Sequence, residues 1–161
     1  MARGGYVNGY TNGTFGGMRS ITRAEFVAIL VRMAGDGMKG SASFADVPDS
    51  YWAHDYIAAA AEAGWINGYN DGNFRPTRPI SRAEVCVILN RVMNRGVDAS
   101  SRLISNLNRF SDLSTSAWYY WDMIEATNTH SYTGTRPSEQ WTGSVVDHPY
   151  DIAHYERPGV D

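Results

Sequence analysis

Two arginines in equivalent local sequences have the chemistry best suited to ligand binding. Arg23 lies in Thr-Arg-Ala-Glu, and Arg82 lies in the later and nearly identical Ser-Arg-Ala-Glu. The planar guanidinium of arginine can hold a carboxylate or phosphate through two parallel hydrogen bonds. Of the 14 basic residues, 13 are arginine and only Lys39 is lysine. The sequence therefore predicts recognition of acidic groups at defined places.

Each of these arginines follows a predicted helix cap. Thr22 and Glu25, like Ser81 and Glu84, have the spacing of a capping box, in which hydroxyl and carboxylate satisfy free N–H groups. We expect both glutamates to act as caps rather than as ligand contacts. Apolar residues follow at helical spacing. The two predicted helices are 22–34 and 81–94. Their positive amino-terminal ends favour a nearby anion.

A loop precedes each helix and recurs in the same register as the helix that follows it. Residues 9–15 return as residues 68–74, with no gap before the second Arg-Ala-Glu motif. Asn12-Gly13 and Asp71-Gly72 are strong signals for tight turns. The sequence therefore contains an internal repeat, which is typical of proteins built from stacked units.

A second repeated segment begins with Phe-x-Asp and includes a tryptophan. Phe44–Val47 with Trp52 returns as Phe110–Leu113 with Trp118, at a slightly longer interval than the loop and helix. We expect a helix capped by Asp49 or Ser50, carrying Trp52 and ending at Gly64. A further helix starting between Ser114 and Ser116 would carry Trp118. Residues 98–108 can add a short connecting helix, and the tail after about residue 130 is expected to be irregular.

These motifs together resemble the surface-layer homology (SLH) repeat. The resemblance covers roughly residues 6–128 and is carried by Phe44-x-Asp46-Val47, the Gly-Tyr-x-Asp-Gly-x-Phe-x-Pro stretch over 68–76, and Ile80–Glu84. It implies a mainly α fold, a pseudo-threefold helical bundle with short Gly/aromatic loops. The expected division has four parts: the second half of repeat 1 (1–36), repeat 2 (37–95), the first half of repeat 3 (96–130) and a tail (131–161).

The resemblance also implies a function. Such repeats anchor bacterial surface proteins to secondary cell-wall polysaccharide, often through a sugar bearing a pyruvate ketal, and place the protein outside the cell. The family's ligand-contacting arginine falls on Arg23 and Arg82. The sequence departs from the family at Gly17, where a proline is usual, and the third repeat lacks its loop and Arg-Ala-Glu helix. At most two of three ligand sites are therefore expected.

Other residues of the repeats suit a sugar ligand. Aromatic surface for the sugar ring is available at Trp52, Trp118, Tyr10 and Tyr69. Backbone groups at Gly13 and Gly72, with Asp71 beside them, can bond hydroxyls. Structural alternatives remain for these residues. Either tryptophan can be core, the glycines can serve the turns alone, and the arginines can pair with a carboxylate such as Asp46 or Asp112.

Composition excludes several classes of function. The net charge of −3 argues against non-specific nucleic-acid binding. The single Cys86 cannot form an internal disulfide, and no apolar run is long enough to span a membrane. The first residues do not resemble a secretory signal. Either the protein is cytoplasmic or the chain is a fragment without its own N-terminus. The incomplete first repeat favours a fragment, and the SLH resemblance implies an extracellular one whose signal peptide is not included.

Alternative functions have less support. A calcium-binding loop ending at Glu84 would need oxygen ligands at Arg75 and Thr77. The four histidines lack metal-ligand spacing, so neither a metal nor another cofactor is expected. No catalytic set is predicted, which makes a wall-glycan hydrolase the weaker alternative. The main alternative is an assembly module, since incomplete repeats leave apolar faces that a second chain can cover.

Overall fold

The computed structural model describes residues 5–35, 37–97, 107, 110–128, 130–136 and 139–143. Its helices are α1 (Arg23–Ala34), α2 (His54–Glu62), α3 (Arg82–Val92) and α4 (Tyr120–Thr127), and its strands are β1 (Ser131–Thr133) and β2 (Gln140–Gly143). The expected mainly α fold class is confirmed. The chain divides into two compact units, Met1–Ile88 and Leu89–Asp161. In the described part of the chain, no helix has the length and apolar character required to cross a bilayer.

The core of the first unit forms where α1 packs against α2. Val27 and Ala28 of α1 and the run Ala58–Ala60 of α2 are almost fully buried. Small alanine side chains allow the backbones to approach closely. Arg32 on α1 adds a polar contact, because its Nε donates to the Tyr56 hydroxyl at 3.2 Å. These contacts fix the direction in which the first turn of α1 points.

The predicted helices around the two arginines are confirmed to within two residues at each end. Thr22 caps α1 in a complete capping box with Glu25. Ser81 and Glu84 make the same exchange at α3, where the Glu84 N–H donates to Ser81 Oγ at 3.3 Å. Both glutamates therefore act as helix caps, as expected.

The two tryptophan-bearing segments begin their helices later than predicted. Trp52 and Trp118 both lie before the helix that follows, and neither α2 nor α4 has a side-chain cap. Ser114 is not a helix cap, since its hydroxyl accepts from the Ser116 N–H in a local turn. The end of α2 does follow the prediction. Gly64, just beyond α2, has a φ of +73°, a conformation that favours glycine.

The second unit has its own core and a short antiparallel hairpin. Leu107, Tyr120, Ile124 and Trp141 form the buried cluster. Strands β1 and β2 pair with Tyr132 opposite Trp141. The expectation of an irregular tail after residue 130 is therefore wrong for Ser131–Thr133 and Gln140–Gly143. Residues 144–161 and, apart from Leu107, the predicted connecting helix lie outside the described residues.

Candidate ligand-binding site

Arg23 is buried, and the protein's own atoms occupy its guanidinium. Its Nη1 donates to Glu84 Oε1 at 2.8 Å, and its Nε donates to the carbonyl of Phe74 at 3.0 Å. The guanidinium lies 4.6 Å from the centre of the Phe74 ring. Arg23 itself is 5% exposed. Arg23 therefore links the first Arg-Ala-Glu helix to the loop and helix of the next repeat.

Glu84 is the acceptor at the centre of this arrangement. One carboxylate oxygen accepts from the Ser81 N–H and hydroxyl, and the other accepts from Arg23, Arg78 and the Tyr69 hydroxyl. Burial alone would raise the pKa of Glu84. The bonds from Ser81 and Tyr69, together with the charge of Arg23, outweigh burial and lower the pKa below its ordinary 4.5. Glu84 is thus held as a carboxylate.

The two loop tyrosines make equivalent contacts. The Tyr10 hydroxyl donates to Glu25 and the Tyr69 hydroxyl donates to Glu84, both at 2.9 Å. Arg19 lies over the Tyr10 ring, at 4.7 Å from its centre, and Arg78 lies over Tyr69 at 5.6 Å. Each tyrosine therefore connects its loop to the cap of the following helix. Both rings are partly exposed and retain surface that a ligand can reach.

Asp46 binds the backbone of the second loop, not the side chain of an arginine. Its two carboxylate oxygens accept from the backbone N–H groups of Phe74 and Arg75, each at 2.7 Å. Arg75 has a φ of +60°, which is unusual for a residue with a side chain. The carboxylate that pairs with Arg23 is Glu84, so Asp46 is not the partner suggested by the alternative interpretation.

Arg82 differs sharply from its repeat equivalent. Its side chain is exposed, and it has no ion pair or hydrogen bond within the described part of the chain. The adjoining helix turn differs too. At α1, the N–H groups of Arg23 and Ala24 donate to the carbonyls of Arg78 and Pro76. At α3, the corresponding N–H groups of Arg82 and Ala83 have no protein acceptor among the described residues.

The predicted aromatic platforms are exposed rather than core. Trp52 is 54% exposed and Trp118 is 67% exposed. Trp52 packs at a tilt on Tyr51, and Trp118 meets Tyr119 edge to face. The alternative that these tryptophans are core residues is therefore wrong. Trp52 belongs to the first unit and Trp118 to the second, so each is a candidate contact within its own unit.

The hydrogen-bonding groups of the turn residues are mainly used within the turns themselves. Gly13 and Gly72 have φ of +81° and +77°, and their N–H groups donate to Tyr10 and Tyr69 carbonyls. The Gly72 carbonyl also accepts from the Ala45 N–H. Asp71 bonds the Asn73 N–H and pairs with Arg75 at 3.0 Å. Both backbone groups of Gly72 thus already make a bond within the protein, and its carbonyl keeps one lone pair that a sugar hydroxyl could reach.

The repeated loop and cap motifs and the first Phe-x-Asp motif lie in segments that match a known protein family. The S-layer homology domain matches residues 1–27 and 43–86 of this chain. The chain belongs to the S-layer homology family. Two SLH segments are thus recognised, which between them include Arg23, Asp46 and Glu84.

Similar proteins carry names from the bacterial surface. The chain is 30% identical over 155 residues to cell surface glycoprotein 1 of Acetivibrio thermocellus, covering 89% of this chain and 6% of that protein. It is 34% identical over 130 residues to the cellulosome-anchoring protein of the same organism, covering 77% and 28%. An uncharacterized cell wall amidase of Bacillus anthracis is 32% identical over 110 residues, covering 66% and 20%.

These relatives are much longer than this SLH chain. The chain spans 6% and 28% of the first two, so the match concerns a module of each. Family membership places the chain among proteins of the bacterial cell surface and cell wall, as the sequence predicts.

Sequence reasoning missed the part played by Arg78. Arg78 and Arg19 occupy the same position in consecutive repeats, and each lies on its loop tyrosine. This shared repeat position is the sequence feature that could have pointed to Arg78. The asymmetry between Arg23 and Arg82 had no such signal, because their local sequences are nearly identical.

Proposed function

We propose that this SLH module anchors its parent protein non-covalently to the cell wall by binding an acidic secondary polysaccharide. The names of the relatives include a cellulosome-anchoring protein and a cell surface glycoprotein, and they support retention at the wall. We further propose that the recognised group is a carboxylate, such as that of a pyruvate ketal, and that Arg82 binds it.

The observation that carries this proposal is the unpaired Arg82 beside an open helix start. An exposed guanidinium lies next to two N–H groups, at Arg82 and Ala83, that have no acceptor in the described part of the chain. Such N–H groups at the positive end of a helix bind anions well. A carboxylate placed there would receive charge-assisted bonds from both sources.

Arg23 has a different place in this proposal. Because Arg23 is buried against Glu84, we assign it to holding consecutive repeats together. We also assign stacking on sugar rings to the exposed or partly exposed aromatic side chains, each within its own unit: Trp52, Trp118, Tyr10 and Tyr69. Gly13 and Asp71 keep their turns in shape, so their contribution to binding is indirect.

Retention on purified wall material tests the anchor directly. We expect the chain to co-sediment with wall glycan, to lose that retention when the ketal is removed chemically, and to release no reducing ends. Release of reducing ends would instead show a hydrolase. Retention that is equal with and without the ketal, in wild type and in Arg82→Ala, would contradict carboxylate recognition.

A second function, assembly between chains, rests on one contrast between repeats. Phe74 is fully buried and is covered by Phe44, with ring centres 5.5 Å apart. Its repeat equivalent Phe15 is 66% exposed, and Gly16 there has a φ of +68°, close to that of Arg75. By analogy with Phe44–Asp46 on the Phe74 loop, we infer that a Phe-x-Asp segment such as Phe110–Asp112 of a second copy would cover Phe15. Light scattering tests this: a dimer that Phe15→Ser abolishes supports assembly, and a monomer contradicts it.

A further inference from the structure

Three side chains in the second unit bring potential metal ligands together. Glu125 lies on α4, His130 follows that helix, and Glu139 precedes β2. One ligand atom from each lies within 4.8 Å of the others. The side chains are 0%, 1% and 0% exposed, respectively. The β1–β2 hairpin is what returns Glu139 to the end of α4.

The hydrogen bond to Asn128 fixes which nitrogen of His130 faces the glutamates. His130 Nδ1 lies 2.9 Å from the Asn128 carbonyl, which can only accept, so Nδ1 carries the proton. The other nitrogen, Nε2, faces Glu139 Oε2 (3.4 Å) and Glu125 Oε2 (3.7 Å). A positive charge between these three groups, either a proton or a metal ion, would satisfy the two buried carboxylate oxygens. Metal-binding histidines are commonly held in this way, through a bond from the other nitrogen.

The outer oxygens of both carboxylates are anchored by arginines. Arg95 Nε lies 2.7 Å from Glu125 Oε1, and Arg136 Nε lies 2.6 Å from Glu139 Oε1. These contacts are ion pairs without good hydrogen-bond alignment. The arginine side chains are 27% and 42% exposed, whereas the Arg95 Nε that faces Glu125 is itself buried. Each glutamate thus keeps its second oxygen turned towards His130, and Glu125 Oε2 is buried without a hydrogen-bond partner.

Two of the three separations between ligand atoms suit a tetrahedral ion. Ligand atoms held about 2.0–2.2 Å from a tetrahedral zinc ion lie about 3.3–3.6 Å from one another. The two histidine–glutamate separations, 3.4 and 3.7 Å, are close to this. Trp141 stacks on the His130 ring, with ring centres 3.7 Å apart, and holds its plane.

We propose that Glu125, His130 and Glu139 form a zinc site that ties the end of α4 to the β1–β2 hairpin. Water would complete the coordination. The ion would stabilise the second unit and is independent of polysaccharide binding by Arg82. The spacing of histidines alone could not indicate this site, because two of its three ligands are glutamates.

Zinc titration of the chain after EDTA treatment and dialysis tests the site. We expect calorimetry and elemental analysis to show zinc bound at this site, one ion per chain, and thermal unfolding to move up by several degrees. Because His148 and His154 can also attract zinc, variants are needed. Glu139→Gln and Glu125→Gln should each lose one equivalent of zinc, and the matched control His54→Gln should not. Wild type that binds no zinc, or equal binding in all four proteins, would overturn the proposal.

Cobalt provides a readout that does not depend on the variants folding. Co²⁺ bound to wild type should show the intense visible absorption of a tetrahedral site, and added zinc should remove it. A spectrum unchanged from that of hydrated Co²⁺ would overturn the proposal even if circular dichroism showed the glutamine variants to be unfolded.

Discussion

Arg23 and Glu84 form a buried ion pair at 2.8 Å between two consecutive SLH repeats. Arg23 begins the Arg-Ala-Glu helix of one repeat, and Glu84 caps the equivalent helix of the next. Glu84 therefore serves two elements at once: it closes the start of α3 and receives the guanidinium from α1. Arg82 has the same motif position as Arg23 but no such partner in the described residues.

The difference between these arginines predicts opposite effects of the same substitution. Arg23→Ala leaves Glu84 buried with less compensation and should destabilise the first unit by about 3–5 kcal/mol. Arg82→Ala removes an exposed side chain and should change the free energy of unfolding by no more than about 0.5 kcal/mol. Urea unfolding of both variants measures this. Equal destabilisation would show that the two arginines are equivalent after all.

Lowering the pH should reduce the stability of the first unit, because the carboxylates of Glu84 and Glu25 become protonated. For each, burial raises the pKa, but bonds from the cap residue and a tyrosine lower it below the ordinary 4.5. A folded-state pKa below the unfolded-state value means that the carboxylate stabilises the fold above about pH 4.5. That stability is lost as the pH falls through the folded-state pKa. Thermal unfolding from pH 6 down to about pH 3 should show this decline, and Glu84→Gln should make it shallower. An unchanged slope in that variant would count against Glu84 as the titrating group.

Asp46 should matter more than its exposure implies. Asp46→Ala removes two hydrogen bonds that hold the Phe74–Arg75 backbone. Since bonds to a charged acceptor are worth about 1.5–3 kcal/mol each and are not additive, we expect a loss of about 2–4 kcal/mol. Asp49→Ala is the matched control, because Asp49 is exposed and contacts His54 only at 3.4 Å. Similar unfolding curves for the two variants would contradict this role of Asp46.

Substitution of an exposed tryptophan should weaken binding to wall glycan and leave the stability of the fold nearly unchanged. Trp52→Ala should weaken retention on wall glycan while changing the free energy of unfolding by less than about 1 kcal/mol. Its ring is 54% exposed, so little core is lost. Co-sedimentation and urea unfolding, run on the same preparation, measure the two effects. Full retention by the variant would exclude Trp52 as a sugar platform.

The sequence predicted the elements that depend on local chemistry. Thr22, Glu25, Ser81 and Glu84 have capping-box spacing, and both boxes form. Gly64 ends its helix because the left-handed conformation favours glycine. The late starts of α2 and α4 were missed, since Asp49 and Ser114 look like caps in isolation. The hairpin near Trp141 was missed because its strands, of three and four residues, are too short to show a strand period in the sequence.

The candidate site was only partly predictable, because it depends on contacts between distant parts of the sequence. Identical motifs around Arg23 and Arg82 carry no information about which one finds a carboxylate. That outcome depends on the neighbouring repeat, which supplies Glu84 and the carbonyls of Pro76 and Arg78 to Arg23 and its helix. Contacts across the repeat decide which arginine remains open to a ligand.

The most direct test is the affinity of the chain for purified wall polysaccharide by calorimetry, with and without its pyruvate ketal, for wild type and Arg82→Ala. One charge-assisted carboxylate contact corresponds to about a ten- to hundredfold change in affinity. We predict that removing the ketal weakens wild type by that factor and weakens Arg82→Ala clearly less, because only the backbone N–H groups remain to bind the carboxylate in the variant. Equal loss of affinity in both proteins, or no loss in either, would contradict the proposal that Arg82 recognises the carboxylate.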